Sequence, residues 1–154
     1  MNTLDPLYPS IGIYYSPENS SGASANSPSP SNEILIVDDD ELTRQLFNRL
    51  LDREFDKKIV LFSNGLKALE YAKENIPCLM ILDLMLPGMS GYEVLQNVRK
   101  NAIFQNTKVV LVSAKSRSED IKRGFDLSAD EYITKPLQPK EFIARIRKLI
   151  TKAA

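Results

Sequence analysis

The sequence predicts an α/β domain built on a doubly wound, five-stranded parallel sheet, preceded by a disordered tail. Three observations predict it. Short strand-like runs recur five times after residue 32. Each is followed by a segment whose apolar residues fall at helical spacing. The composition also changes abruptly where this pattern begins. Five strands alternating with five helices require right-handed crossovers, which cover both faces of a parallel sheet with helices.

Residues 1–32 are dominated by Ser, Pro and Asn, as in Ser20-Ser21-Gly22-Ala23-Ser24, and no Lys or Arg precedes Arg44. Such a segment cannot bury enough apolar surface to offset its ordering entropy. It reads as a disordered tail ahead of a folded domain over residues 33–152. Ile11-Gly12-Ile13-Tyr14-Tyr15 is its local exception, either chance aromatics in an unstructured stretch or a docking segment.

The folded part reads in order. Ile34–Val37 is a continuous apolar run, as in a strand buried on both faces. Leu42, Leu46 and Leu50 recur at helical spacing, with Phe47 and Leu51 beside them. Lys58–Phe62 is a second strand, and Leu66, Leu69 and Ala72 place a helix on residues 64–75. Leu79–Leu82 is a third buried strand. Tyr92, Leu95 and Val98 share one face of a helix that starts near Gly91. Val109–Val112 is the fourth strand, with a helix over residues 117–127 marked by Ile121 and Phe125. Glu131–Thr134 is a short fifth strand. Phe142, Ile143, Ile146, Leu149 and Ile150 stripe the last helix.

Composition narrows the functions. Twenty basic and twenty acidic residues give zero net charge, which argues against a large nucleic-acid footprint. The chain has one cysteine and no histidine. A single thiol cannot form an internal disulfide, and Cys78, just before an apolar run, reads as a small core residue. Without histidine, any chemistry rests on carboxylates, hydroxyls and lysine. No apolar run approaches the ~20 residues of a membrane span, and the N-terminus is not a secretory signal, so a cytoplasmic place is expected.

In such sheets ligands bind beyond the carboxyl ends of the strands. There the sequence puts Asp38, Asp39, Asp40 and Glu41 after strand one, Asp83 after strand three, Ser113 and Ala114 after strand four, and Lys135-Pro136 after strand five. Asp40 reads as the N-cap of the first helix. Clustered carboxylates repel, and a hard divalent cation relieves the repulsion. Oxygen ligands without His or Cys favour Mg²⁺, which also binds phosphate oxygens. Lysine adds a second positive charge, Ser113 a hydrogen-bond donor, and one carboxylate near the metal becomes a nucleophile.

Four segments together resemble the receiver domain of bacterial two-component response regulators. They are Ile34-Leu35-Ile36-Val37-Asp38-Asp39-Asp40-Glu41, Leu82-Asp83-Leu84-Met85-Leu86-Pro87-Gly88-Met89-Ser90-Gly91, Val110-Leu111-Val112-Ser113-Ala114 and Ala129-Asp130-Glu131-Tyr132-Ile133-Thr134-Lys135-Pro136. The resemblance covers residues 33–151 and implies a (βα)5, flavodoxin-like, CheY-like fold. It implies Asp83 as phosphoacceptor, and Mg²⁺ held by Asp38, Asp39, Asp83 and the main-chain carbonyl of Met85. It further implies Ser113 as switch hydroxyl, Lys135 as the phosphate-pairing lysine and Tyr132 as the aromatic that turns inward when Ser113 moves. The Lys135–Pro136 bond is expected to be cis. The final third is similar to OmpR/PhoB receivers, which dimerise through charge pairs; Glu131, Glu141 and Arg145 match such positions. Ile121 departs from the pattern, where a basic residue is usual, and so does Ser128, where glycine is usual. A solvated charged face is the plain alternative.

The expected function is therefore a response regulator receiver. It takes a phosphoryl group from a sensor histidine kinase or phosphotransfer protein and signals to a downstream protein through its fourth-helix, fifth-strand and fifth-helix face. It catalyses only its own aspartyl phosphorylation and dephosphorylation. A phosphorylation-dependent homodimer stands as one option beside the solvated charged face, and no membrane partner or direct nucleic-acid binding is expected. A chain ending after the last helix fits a single-domain regulator or a piece of a longer one. A haloacid-dehalogenase-like phosphatase, suggested by Asp38-x-Asp40, leaves Asp83, Ser113 and Lys135 without roles. A receiver kept only as a binding module does not need three site carboxylates.

Overall fold

The computed structural model describes residues 3–4, 14–15 and 29–151. In chain order the folded part runs β1 (Glu33–Val37), α1 (Glu41–Glu54), β2 (Lys58–Phe62), α2 (Gly65–Glu74), β3 (Leu79–Asp83), α3 (Gly91–Lys100), a 3₁₀ turn (Ala102–Phe104), β4 (Lys108–Ser113), α4 (Ser118–Asp126), β5 (Glu131–Thr134) and α5 (Pro139–Thr151). The sheet order is β2-β1-β3-β4-β5, and every neighbouring pair is parallel. This is the predicted doubly wound sheet. The order reverses between β1 and β3, so a crevice opens beyond their carboxyl ends.

Strand periodicity divides one continuous apolar run between two cores. Leu35 and Val37 of β1, Met80 and Leu82 of β3, and Val109 and Leu111 of β4 face α2, α3 and α4. Ile34 and Ile36, Leu79 and Ile81, and Val110 and Val112 face α1 and α5. The second core is locked by Phe47 of α1 stacked on Phe142 of α5, with ring centroids 5.1 Å apart and planes at 17°.

That stack sets the rotation of α1. Phe47 and Leu51 turn inward, whereas Leu42 and Leu46, on the neighbouring stripe, are 76% and 47% exposed. Strand β2 lies at the sheet edge, so its side chains are only part-covered and Leu61 is exposed. Helix α4 ends with Ser128 at φ 70°. The Ser128 and Ala129 amides donate to the carbonyls of Phe125 and Gly124, closing the helix in the left-handed conformation that glycine adopts without strain. This is the position where the sequence departs from glycine.

Within the stretch read as a tail, Thr3–Leu4 pairs antiparallel with Tyr14–Tyr15. The remainder of residues 1–28 lies outside the described residues, and with it the reading of a disordered tail. Ser31 and Asn32 belong to the domain. The Ser31 amide donates to the Ile76 carbonyl at 2.7 Å, and the Asn32 carbonyl accepts from the Lys58 amide at 3.0 Å. Among the described residues no helix is long and apolar enough to cross a membrane.

Candidate functional site

The site forms at the crevice, from the residues that follow β1, β3, β4 and β5. Asp38 is the first residue beyond β1. Its amide continues the ladder by donating to the Phe62 carbonyl at 3.1 Å, which seats its side chain inside the sheet edge at 1% exposure. Asp83 is the last residue of β3 and is also buried. Asp39 is exposed. The three side chains each offer an oxygen, and these oxygens lie within 4.8 Å of one another.

Two buried carboxylates side by side need a cation. Lys135, next after β5, supplies one. Its Nζ donates to Asp38 Oδ2 at 3.0 Å and to Asp83 Oδ2 at 2.9 Å. Burial disfavours the ammonium, but the bonds to Asp83 and Asp38 outweigh it and raise the Lys135 pKa. Burial also pushes the Asp38 carboxyl above the ordinary range, against the pull of the Asp40 amide and Lys135. The remaining oxygens are held by main chain. Asp38 Oδ1 accepts from the Asp40 amide at 2.8 Å, and Asp83 Oδ1 from the Met85 amide at 2.9 Å. The Lys135–Pro136 peptide is cis.

Local sequence explains the framing. Asp40 caps α1 as predicted, accepting from the Thr43 amide at 3.0 Å. Ser90 and Glu93 form a reciprocal capping box at the start of α3. The next residue, Gly91, lets that helix approach the loop carrying Asp83. Its amide donates to the Leu84 carbonyl at 3.0 Å, and an added Cβ would lie 2.8 Å from Leu84 Cα and nearer still to the Asp83 carbonyl oxygen.

Ser113 is fully buried at the end of β4, one residue past Val112, which pairs with Asp83. Its Oγ accepts from the Lys115 amide at 3.2 Å. Tyr132 is buried and already inward, its hydroxyl donating to the Lys115 carbonyl at 2.6 Å. Burial pushes its phenol pKa up to about 12. The ring lies against α4, where a Cβ on Gly124 would meet Tyr132 Cδ2 at 3.0 Å. Met85 is 60% exposed on the loop after Asp83.

Glu131, Glu141 and Arg145 do not join the acidic site. They run along β5 and α5, where Arg145 bonds Glu131 at 3.3 Å and Glu141 at 2.7 Å within one chain. Cys78 is half-buried, its Sγ 3.2 Å from the Glu33 carbonyl, and burial raises its thiol pKa, as for an inert structural thiol.

The sequence gives Arg44 no role, and Tyr92 only a place on the apolar face of its helix. Arg44, on the first turns of α1, donates to the Asp38 main-chain carbonyl at 2.6 Å. Tyr92 of α3 donates to the Asp120 carbonyl of α4 at 2.9 Å, under the Arg123 guanidinium, 4.3 Å from its ring centre. Bonds to main-chain carbonyls leave little trace in sequence. The available signal was placement: a cation four residues after a capping aspartate, and an aromatic beside a glycine at a helix start.

Comparison with known proteins bears on the family and the fold. Residues 34–147 match the family model described as the response regulator receiver domain. The chain is 39% identical over 122 residues to the transcriptional regulatory protein SrrA of Staphylococcus aureus. The match covers 79% of this chain and 49% of SrrA, so the chain spans about half the length of the curated relatives it matches. Among solved structures, a CheY-like receiver domain protein from Methanospirillum hungatei superposes with a TM-score of 0.73 at 25% identity, covering 81% of this chain and 97% of that one. The BeF₃-activated N-terminal receiver domain of Klebsiella pneumoniae RstA gives 0.71 at 26% identity, covering 77% and 97%.

Proposed function

The chain belongs to the response regulator receiver domain family of two-component signalling, and on that premise we propose that it accepts a phosphoryl group on Asp83 in the cytoplasm. The donor is a sensor histidine kinase or a phosphotransfer protein. The observation that carries this reading is the Lys135 ammonium lodged between Asp38 and Asp83. An ammonium held between two buried carboxylates is suited to pair with the negative charge of an incoming phosphoryl group.

The transfer balances simply. A carboxylate oxygen of Asp83 bonds to phosphorus as the phosphorus–nitrogen bond to the donor imidazole breaks, and the imidazole keeps the electron pair. Lys135 releases Asp83 Oδ2 and pairs with the incoming phosphoryl oxygens, which lie within reach of the same ammonium. Ser113 turns its hydroxyl toward the phosphoryl group. The donor set fits Mg²⁺: oxygens only, from Asp38, Asp39 and Asp83, with the Met85 carbonyl as a further ligand. When bound, Mg²⁺ supplies charge neutralisation for carboxylates and phosphate alike.

Signal output is a population shift at the face formed by α4, β5 and α5. Tyr132 supports this, since it touches both the β4–α4 loop and α4 itself. Glu131, Glu141 and Arg145 lie on that face and are positioned to exchange their internal pairs for contacts with a downstream protein or a second copy. The family is generally not one of substrate-turnover enzymes, and the chemistry of this chain is formation and loss of its own aspartyl phosphate.

Acetyl phosphate with Mg²⁺ tests the proposal without a kinase. One phosphoryl group per chain is expected. Asp83→Asn should abolish labelling and Asp39→Ala should slow it markedly. Undiminished labelling of Asp83→Asn removes Asp83 from the role.

A further inference from the structure

Asp38 is engaged at every polar atom: its amide by Phe62, Oδ1 by Asp40, Oδ2 by Lys135 and its carbonyl by Arg44. Asp39 is the opposite. It is exposed, and among the described residues no donor reaches its carboxylate. Something other than its own side chain must hold it in place. The carbonyl that Arg44 grips belongs to the peptide joining Asp38 to Asp39. A peptide unit is planar, so anchoring its oxygen also sets the direction in which the Asp39 Cα departs.

Arg44 is suited to this. It sits on the first turns of α1, where its own amide donates to the Asp40 carbonyl at 3.0 Å. Arg44 is part-buried, and its guanidinium donates to the Asp38 carbonyl at 2.6 Å, the short distance of a charge-assisted contact. Lys135 must leave Asp83 when a phosphoryl group arrives, whereas the Arg44 guanidinium bonds a main-chain carbonyl that an incoming phosphoryl group does not claim.

We infer that Arg44 is a positioning residue for the cation site, fixing the Asp38–Asp39 peptide so that the Asp39 carboxylate is presented to a divalent ion beside Asp38 and Asp83. This rests on the proposed Mg²⁺-dependent reading of that site. An anchoring role and a charge effect of Arg44 act on Mg²⁺ affinity with opposite signs. Arg44 as a mere nearby cation repels Mg²⁺, and removing it tightens binding. Arg44 as an anchor holds Asp39, and removing it weakens binding.

The test is an NMR titration of the full chain with Mg²⁺ alone, without phosphodonor, following the amides of residues 38–40. Arg44→Met removes charge and donor while keeping a long apolar stem. It should raise the Mg²⁺ Kd about tenfold, as loss of an outer partner of a metal ligand does. In the Mg²⁺-free protein the Asp39 amide should become more mobile on the ps–ns scale. Arg44→Lys keeps the charge but loses the planar fork, so it should weaken binding by a smaller factor. An unchanged or tighter Kd in Arg44→Met overturns the inference. If that variant proves poorly folded, Arg44→Lys decides: weaker binding supports the anchor and unchanged affinity overturns it. Asp39→Ala separates the two layers. Unchanged affinity there overturns the Mg²⁺ reading itself. Weakened affinity there, with Arg44→Met at parent affinity, overturns the Arg44 inference alone.

Discussion

Replacing Lys135 by Met removes the ammonium that touches both Asp38 and Asp83 and leaves a side chain of similar length. Asp38 and Asp83 side chains are 1% and 9% exposed, and that of Lys135 is 25% exposed. Removing one partner of a buried ion pair costs about 3–5 kcal/mol. The partly exposed lysine and the open sheet edge reduce this to about 2–3 kcal/mol. For a domain of this size, that corresponds to a fall of about 10 °C in melting temperature. Mg²⁺ should reverse most of it. An ion at a hundred times its Kd adds about 2.7 kcal/mol, and the variant has no ammonium competing for the same oxygens. Thermal unfolding with EDTA and with Mg²⁺ reads both effects, and the Mg²⁺-induced rise should be larger in Lys135→Met than in the parent. The deficit should also narrow as pH falls. Burial already raises the Asp38 pKa, so in the variant the native state takes up a proton before the unfolded chain does, and stability recovers on acidification. Equal melting temperatures without Mg²⁺, together with equal Mg²⁺ shifts, refute the electrostatic account.

Other expectations follow from particular contacts. Gly91→Ala forces a methyl against the main chain of Asp83 and Leu84, and should cost about 1–3 kcal/mol in urea unfolding, with phosphorylation slowed because Asp83 shifts. Ser128→Gly relieves a side chain held at φ 70° and should stabilise by about 0.5–1 kcal/mol in the same assay. Tyr132 stays neutral in the fold up to about pH 12, whereas it ionises near pH 10 when unfolded. The unfolded state then binds fewer protons, so stability falls as pH rises through that window. Alkaline melts of Tyr132→Phe should show a shallower decline than the parent.

Much of the fold was legible because each strand announces itself locally. A continuous run such as Leu79–Leu82 can only be buried on both faces, and alternation with helices then implies a parallel sheet. The clustering of the candidate site residues was legible for the same reason. Asp38, Asp83, Ser113 and Lys135 each stand at a strand end, and the topology brings strand ends together. What stayed hidden depends on contacts distant in sequence or made to main chain. The rotation of α1 is set by Phe47 against Phe142, a stack that nothing near Leu42 or Leu46 reports. The grip of Arg44 on the Asp38 carbonyl and of Tyr92 on the Asp120 carbonyl involves acceptors that every residue possesses. The inward position of Tyr132 depends on Gly124 clearing space on a neighbouring helix. The exposure of Leu61 follows from β2 being an edge, which requires the strand order.

The phosphoacceptor is the centre of the account, and trapping it chemically is the most direct test. Borohydride reduces an aspartyl phosphate to homoserine, leaving a permanent mark on the acceptor. After treatment with acetyl phosphate and Mg²⁺, peptide mass spectrometry should find homoserine at position 83, and none when Mg²⁺ is withheld. Homoserine at position 38 or 39 instead, or at no position despite intact folding, contradicts the assignment of Asp83.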